Sequence, residues 1–517
     1  MDVTKRQLSR VGFWAVLVFS IFAWAPATFP GYWQSLEGFV PVFNAVHPTP
    51  IANIAIPADL WRGEGSGAFL LIRPLMLLGL DRVAAVRATF ALMFILGGSS
   101  IYLWLRSRLG DRGAGLAGLI YMLLPPFLAT VYIRGCLSDA LLWGLLPLAL
   151  AGITVYTENR SLGAATVVVL ALLWMWRTQA GLAAFISLLL LLYTAVVERH
   201  WVSWWIVCLS SAAGLTSLLP LWQVTAPSLV TFSDHFVYLF QLFKVTWQVA
   251  PSVAGWQDAY PFQLGFAALA FSALALWFWW MMRKQPTKTP NARLLGFSFV
   301  GAVILICLSL TFSAPLWHWS GGERLLTYPW QILLLAGPLL AVTAGSLPAL
   351  YPTFSHTPYW ATLLALVILS SYAYLDTTHT QVKPPDQPLA VVGPQDNFVV
   401  LAANLVEKTQ PHQATLELTW QALHPVAFDD NVFFQALTGS EASPTVVAQL
   451  DRQPLDGKRP ATSWQPGEIF TDTYRLDFPS GSPQQGLRYY FGYYDWRNGA
   501  RLPVDGGIDD KLVFHGQ

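Results

Sequence analysis

The chain has 517 residues, 54% of them hydrophobic and only 11% charged, with 30 Lys and Arg against 29 Asp and Glu. Soluble globular proteins carry about a quarter of charged residues, so an ordinary soluble enzyme is excluded; the near-zero net charge and the lack of any nucleic-acid motif exclude nucleic acid as a partner. The 24 Trp residues suit a protein with many membrane interfaces, where an amphipathic ring sits between headgroups and hydrocarbon.

At the N-terminus Lys5, Arg6 and Arg10 precede an apolar run from Val11 to Phe29. The run is of spanning length, and Ala25-Pro26-Ala27-Thr28 makes a poor cleavage site, so it reads as an uncleaved first helix rather than a signal peptide. Crossing hydrocarbon takes about twenty apolar residues. On that measure further helices are expected at about residues 83–105, 113–131, 137–156, 161–176, 178–197, 202–222, 260–282, 294–314, 325–348 and 358–376, giving about eleven spans. The run Phe69–Leu80 is too short to cross and is interrupted by Arg73-Pro74, so it reads as interfacial or re-entrant.

Short cytoplasmic loops carry an excess of Lys and Arg. With the N-terminus inside, the clusters Arg106, Arg108, Arg112 and Arg283, Lys284, Lys288, Arg293 both fall on the cytoplasmic side, and the C-terminus lies outside. Long outward loops are then expected from Pro30 to Arg82 and from Gln223 to Tyr260, with a shorter one from Ser313 to Arg324. Cys136, Cys208 and Cys307 lie in or beside apolar segments, so neither a disulfide framework nor a cysteine metal cluster is expected.

After Asp376 the composition changes. The membrane domain is expected over 1–376 and a Pro-rich linker over 377–392, containing Lys383-Pro384-Pro385-Asp386. Over 393–517, alternating runs such as Ala414–Trp420, Asn431–Ala436, Thr445–Leu450, Thr473–Phe478, Leu487–Tyr494 and Lys511–Phe514 predict an all-β sandwich. The fold class is thus mainly α: a polytopic transmembrane helical domain followed by an extracytoplasmic sandwich.

The chain lacks a Walker loop, a His-Glu-x-x-His site and a Gly-x-Ser-x-Gly elbow. Chemistry on the outer face falls to three patches. Glu37, among aromatics just beyond the first helix, is a candidate general base if partial burial tunes it, or a plain interfacial acid. Arg134 and Asp139, five residues apart at the outer ends of two helices, can clamp phosphate oxygens or staple the helix ends together. Arg177, at a neighbouring outer turn, is either a second phosphate contact or a snorkelling side chain. In the third patch Glu323 and Arg324 open a helix, where a carboxylate meets the positive end of the dipole. His318 there, between Trp317 and Trp319, fits an aromatic belt or a sugar-stacking surface. Asp234, His235 and Asp258 are further polar candidates, without metal-ligand spacing.

Tyr132-Ile133-Arg134-Gly135 with Asp139, followed by Leu141-Leu142-Trp143-Gly144-Leu145-Leu146-Pro147, an acid soon after the first helix, and Leu325-Leu326-Thr327-Tyr328-Pro329-Trp330-Gln331 together resemble bacterial multi-spanning proteins known as 6-pyruvoyl-tetrahydropterin-synthase-related membrane proteins. Those in turn resemble the GT-C glycosyltransferase superfamily, and the likeness covers about residues 10–376. Asp139 stands where many relatives have Glu, and Glu37 replaces the Asp common in the superfamily without a second acid beside it. The C-terminal stretch, with Trp420, Trp464 and Gly492-Tyr493-Tyr494-Asp495, resembles sandwiches appended to similar enzymes.

The resemblance implies transfer of a sugar from a polyprenyl-phosphate donor to a glycan or protein acceptor on the outer face of a bacterial cell membrane. Glu37 would take the acceptor proton, and Arg134, Arg177 and Arg324 would bind the donor phosphate, supported by Asp139, His318 and Glu323. The expected partners are the lipid-linked donor, membrane lipid and the acceptor. No cofactor is expected, a divalent metal being left open. A non-catalytic anchor presenting the sandwich as a binding module for envelope assembly is the alternative; a transporter is disfavoured by the scarcity of charges within the helices.

Overall fold

The computed structural model describes residues 10–38, 41–42, 45, 66–216, 231–282, 291–380, 388–393, 397–409, 412–423, 426, 428–440, 443–464, 467–479, 481–483, 486–505 and 509–515. Lys5, Arg6, Gln223, Arg283, Lys284, Lys288, the middle of the first outward loop and the Lys383–Asp386 part of the linker lie outside the described residues. The chain divides into two compact units, one of Met1–Tyr32 with Pro48–Thr378 and one of Trp33–His47 with His379–Gln517.

The first unit is helical. Its long helices are α1 (Val11–Trp24), α2 (Arg82–Met122), α3 (Leu137–Asn159), α4 (Leu162–Thr178), α5 (Ala180–Tyr193), α6 (Trp201–Gly214), α7 (Phe266–Met282), α8 (Ala292–Ser309), α9 (Leu333–Gly345) and α10 (Thr357–Ser371). Among the described residues seven helical stretches have at least 18 residues and the apolarity to cross a membrane. The longest holds two of the expected spans, because α2 is broken at Gly110, whose φ of 74° and ψ of 173° leave the helix. Shorter apolar helices, α4, α6 and α7, fill the remaining expected positions; the 17 residues of α4 reach roughly 25 Å at 1.5 Å each. Ile72–Leu77 is a helix of six residues, too short to cross. Large apolar side chains such as Trp14, Leu170, Leu209 and Phe266 stay exposed, as lipid-facing positions require. The chain is a membrane-embedded protein.

The bundle closes through small residues and a few polar ties. At the break in α2, Asp111 accepts the Gly12 N–H at 2.9 Å and the Tyr102 hydroxyl at 2.8 Å, placing a carboxylate on the positive end of α1. A Cβ on Gly12 would lie 2.0 Å from the Asp111 carbonyl oxygen, and one on Gly115 would lie 2.7 Å from Gly12 Cα. Backbones meet directly there, the way helices gain packing where no hydrophobic effect drives association. Farther along, Arg87 donates to the carbonyls of Ala27 and Gly31, and the Tyr132 hydroxyl to that of Ala23, fixing the end of α1.

The second unit contains the expected sandwich. Its strands are β1 (Ala390–Val392), β2 (Phe398–Thr409), β3 (His412–Ala422), β4 (Asn431–Ser440), β5 (Ser443–Arg452), β6 (Ile469–Asp477), β7 (Arg488–Tyr494) and β8 (Leu512–His515). They form two antiparallel four-stranded sheets, β1-β2-β3-β6 and β8-β7-β4-β5. Alternate residues of both sheets, among them Trp420, Phe434, Tyr474 and Phe491, interleave with Trp464 in one core.

Candidate functional site

Pro125 and Pro126 start a short helix, Pro125–Ala129, which widens into a π turn over Thr130–Arg134. Such turns occur mostly as single widened turns and frequently at functional sites. Gly135 ends it at φ 71°, a left-handed conformation that a side chain disfavours, and the Cys136 N–H closes on the Thr130 carbonyl at 3.0 Å. The reversal brings Arg134 back over the first turn of α3, where its guanidinium donates to Asp139 Oδ2. The Asp139 side chain is buried, at 4% exposure, and that of Arg134 is largely so, at 11%. Inside a membrane bundle an isolated charge is costly, so the two are held as a pair.

A third segment completes the pair. In the turn Pro329–Ile332, Gln331 Oε1 accepts the N–H groups of Thr327 and Tyr328, both at 3.1 Å. That fixes which end of the amide is oxygen, and the amide nitrogen donates to Asp139 Oδ2 at 3.3 Å. The Trp330 ring lies over the Arg134 guanidinium at 5.1 Å, a cation–π contact. Tyr260 stacks on Trp330 at 4.6 Å and Tyr328 at 4.8 Å. Below, Trp143 stacks on Phe127 at 5.0 Å and its indole N–H meets Thr130 Oγ1 at 3.2 Å. These groups line a narrow, partly open cleft with a volume of about 30 Å³, its walls including Thr130, Arg134, Asp139, Tyr260, Trp330 and Gln331.

A polar chain holds the Tyr260 segment. Ser252 Oγ donates to Asp258 Oδ2 at 2.6 Å and lies 2.9 Å from His235 Nδ1, while Asp258 Oδ1 accepts the Tyr260 N–H at 2.8 Å. Burial pushes the Asp258 carboxyl above its ordinary value and the His235 imidazole below its own. The serine hydroxyl donates to the acid, and the acid holds the serine rather than the imidazole, so the order differs from the nucleophile, base and orienting acid of an activated serine. The His235 ring meets Tyr328 at 5.1 Å, so the chain is a brace for the aromatic wall.

The remaining sequence candidates stand elsewhere. Among the described residues Arg177 and Arg324 are not part of the cleft wall; Arg177 occupies the last turn of α4 and Arg324 is exposed in the turn Gly322–Arg324. His318 Nδ1 and Glu323 Oε1 pair at 3.1 Å, with the His318 side chain 84% exposed. Glu37 is half-buried in the Trp33–His47 segment of the second unit. Among the described residues no three His, Cys, Asp or Glu side chains gather in a way that could hold a metal ion. Tyr260 and Thr130 were not singled out from sequence, and Trp330 and Gln331 entered only within the Leu325–Gln331 resemblance, without a role. The available signal was a glutamine two residues after Pro329 at the start of an apolar helix.

No family model matches the chain, and no curated protein does. Among solved structures it is similar to the Archaeoglobus fulgidus oligosaccharyltransferase in complex with zinc and sulfate, at 12% identity over 70% of this chain and 52% of that one, with a TM-score of 0.36. It is also similar to ArnT from Cupriavidus metallidurans in the apo state, at 13% identity over 65% of this chain and 76% of that one, with a TM-score of 0.30. The chain thus spans about half the length of the oligosaccharyltransferase.

Proposed function

We propose that the chain is a membrane glycosyltransferase-like protein that transfers a sugar from a polyprenyl-phosphate-linked donor to an acceptor on the outer face of the membrane. The observation that carries this reading is the cleft over Arg134: a buried guanidinium, oriented by Asp139 and covered by Trp330, in a bundle of spanning helices. Ionisable groups in such a setting mark functional sites, and a fixed cation lowers the cost of the negative charge that builds on a departing phosphate. Aromatic faces beside it suit a sugar ring. Glu37, just past α1, is the proposed base for the acceptor hydroxyl. Arg177 and Arg324 are proposed as further phosphate contacts, with His318 and Glu323 supporting them. The C-terminal sandwich is proposed to lie outside the membrane, a reading supported by the distribution of Lys and Arg over the loops. Its self-contained core favours the second reading, in which the helices anchor a binding module.

The test is transfer of radiolabelled sugar from a panel of polyprenyl-phosphate donors by the purified full chain in lipid. Turnover in the wild type and its loss in folded Glu37→Gln and Arg134→Ala proteins is the expected result. No turnover with any donor, or full turnover in Glu37→Gln, overturns the assignment.

A further inference from the structure

Two side chains of the cleft each leave one polar atom buried and without a hydrogen-bond partner: Asp139 Oδ1 and Trp330 Nε1. The rest of the site is closely paired. Asp139 Oδ2 takes both Arg134 and Gln331, and both ends of the Gln331 amide are used. An orphaned carboxylate oxygen and an orphaned indole N–H on two residues that line the same cleft are therefore a local exception to the rule that buried polar groups are satisfied.

Their chemistry selects what fits. The carboxylate oxygen needs a donor and the indole N–H needs an acceptor. An ammonium group would serve Asp139 and leave the indole unmet; a phosphate would serve the indole and meet the carboxylate with like charge. A hydroxyl is donor and acceptor at once, and neighbouring ring hydroxyls offer both. We propose that Asp139 Oδ1 and Trp330 Nε1 form a subsite for the hydroxyl groups of a neutral sugar ring, which on the transferase reading is the sugar carried by the donor. The Trp330 and Tyr260 rings supply the apolar face against which the C–H groups of the ring pack. Both polar atoms are shielded from bulk solvent, so hydrogen bonds made to them count for more than exposed ones. Reaching them requires the indole to shift, and it is held by stacking rather than by a side-chain hydrogen bond.

The subsite is tested by binding rather than turnover. The full chain in lipid nanodiscs is titrated calorimetrically with methyl glycosides of the common hexoses and N-acetylhexosamines, and separately with inorganic phosphate. Asp139→Asn keeps the shape of the carboxylate and removes its charge; Trp330→Phe keeps a stacked ring and removes the N–H. Each is expected to weaken binding of the preferred glycoside at least about tenfold, the equivalent of one lost hydrogen bond, while elution volume stays at the wild-type position in both and the melting temperature stays near wild type in Trp330→Phe, whose indole N–H makes no hydrogen bond in the fold. If Asp139→Asn does not fold, Trp330→Phe carries the test. Binding of no glycoside, or equal binding by both variants, overturns the proposal and leaves water as the partner of the two atoms. Glycoside binding lost in both variants, with no transfer from any lipid donor, sustains the subsite and overturns the transferase reading alone.

Discussion

Among the described residues the helical unit holds two largely buried Arg–carboxylate pairs that solve the same electrostatic problem differently. Arg108 binds both oxygens of Glu198, at 2.7 and 2.8 Å, and Glu198 also accepts from Thr154 and Thr157, each at 3.0 Å, and from Tyr193. Trp104 in turn donates to the Tyr193 hydroxyl at 2.7 Å. Every carboxylate oxygen there is satisfied, and the cluster ties α2, α3 and the turn after α5 together. At Arg134 and Asp139 one oxygen carries two bonds and the other none. A pair whose carboxylate is saturated, even with the Arg108 Nε left over, is a staple, whereas one whose carboxylate is half-saturated beside a cleft keeps acceptor capacity in reserve. The difference teaches where to look for function: at incomplete satisfaction rather than at buried charge as such.

Breaking the staple is expected to have the largest effect. Glu198→Ala leaves Arg108 buried without its counter-ion, and removal of one partner of a buried pair costs about 3–5 kcal/mol. Thermal unfolding of the purified chain in detergent reads this, with little folded Glu198→Ala protein expected at growth temperature. Asp139→Asn sharpens the contrast. It leaves an oxygen toward Arg134 but removes the counter-charge, so it costs about 1.5–3 kcal/mol of stability, the range for a hydrogen bond to a charged group, while on the transferase reading transfer falls by about a hundredfold as the bonding pattern of the site is lost. Equal melting losses in the two variants, without a selective loss of transfer in Asp139→Asn, would show that both pairs are merely structural.

The same contrast explains what could be read from sequence. Spanning helices were legible because apolarity persists over whole segments, and the two halves of α2 separated at the charged stretch Arg106–Arg112 that Gly110 interrupts. Arg134 and Asp139 were legible as a pair because only one glycine-containing turn lies between them. That Gln331 and Trp330 of the Leu325–Gln331 motif join them was not, since the Gln331–Asp139 bond spans 192 residues of chain and nothing local records it. Arg177 and Arg324 were chosen for the side of the membrane they occupy, and a side does not fix a position. In the sandwich, β2 escaped the alternation rule because the register shifts between Val400 and Ala402, and a bulge there breaks the period of two. Most other strands keep that period and were visible.

A smaller perturbation approaches the cleft from behind. A Cβ on Gly337 would lie 2.3 Å from the Trp143 ring, one turn along α3 from Asp139. Gly337→Ala is expected to cost about 1–3 kcal/mol, as overpacking does, and to weaken glycoside binding by displacing Trp143 and Thr130. The equivalent crowding at Gly12, against Asp111, should lower the melting temperature similarly while leaving glycoside affinity unchanged. Binding isotherms of the two variants separate a packing defect that reaches the cleft from one that does not.

A carboxylate in the sandwich extends the comparison to a group left without a cation of its own. Burial first, and then the nearby Asp495, push Asp430 up to about 6. Arg497 opposes the shift, but its guanidinium is engaged by both oxygens of Asp495, each at 2.7 Å, and lies over Phe428 at 3.7 Å. With the folded value above the unfolded one, the proton is held more tightly in the native sandwich. This contribution to stability is therefore fully present below about pH 4, the unfolded range, and is lost as pH rises through 6. Pulse proteolysis of the intact chain between pH 4 and 7.5, following cleavage within β4 and β7, measures the slope. The wild-type sandwich is expected to lose resistance across that window relative to Asp430→Asn, whose curve lacks this component. Parallel curves would mean that Asp430 titrates like a solvated carboxylate, and that Arg497 neutralises it as fully as Arg108 neutralises Glu198.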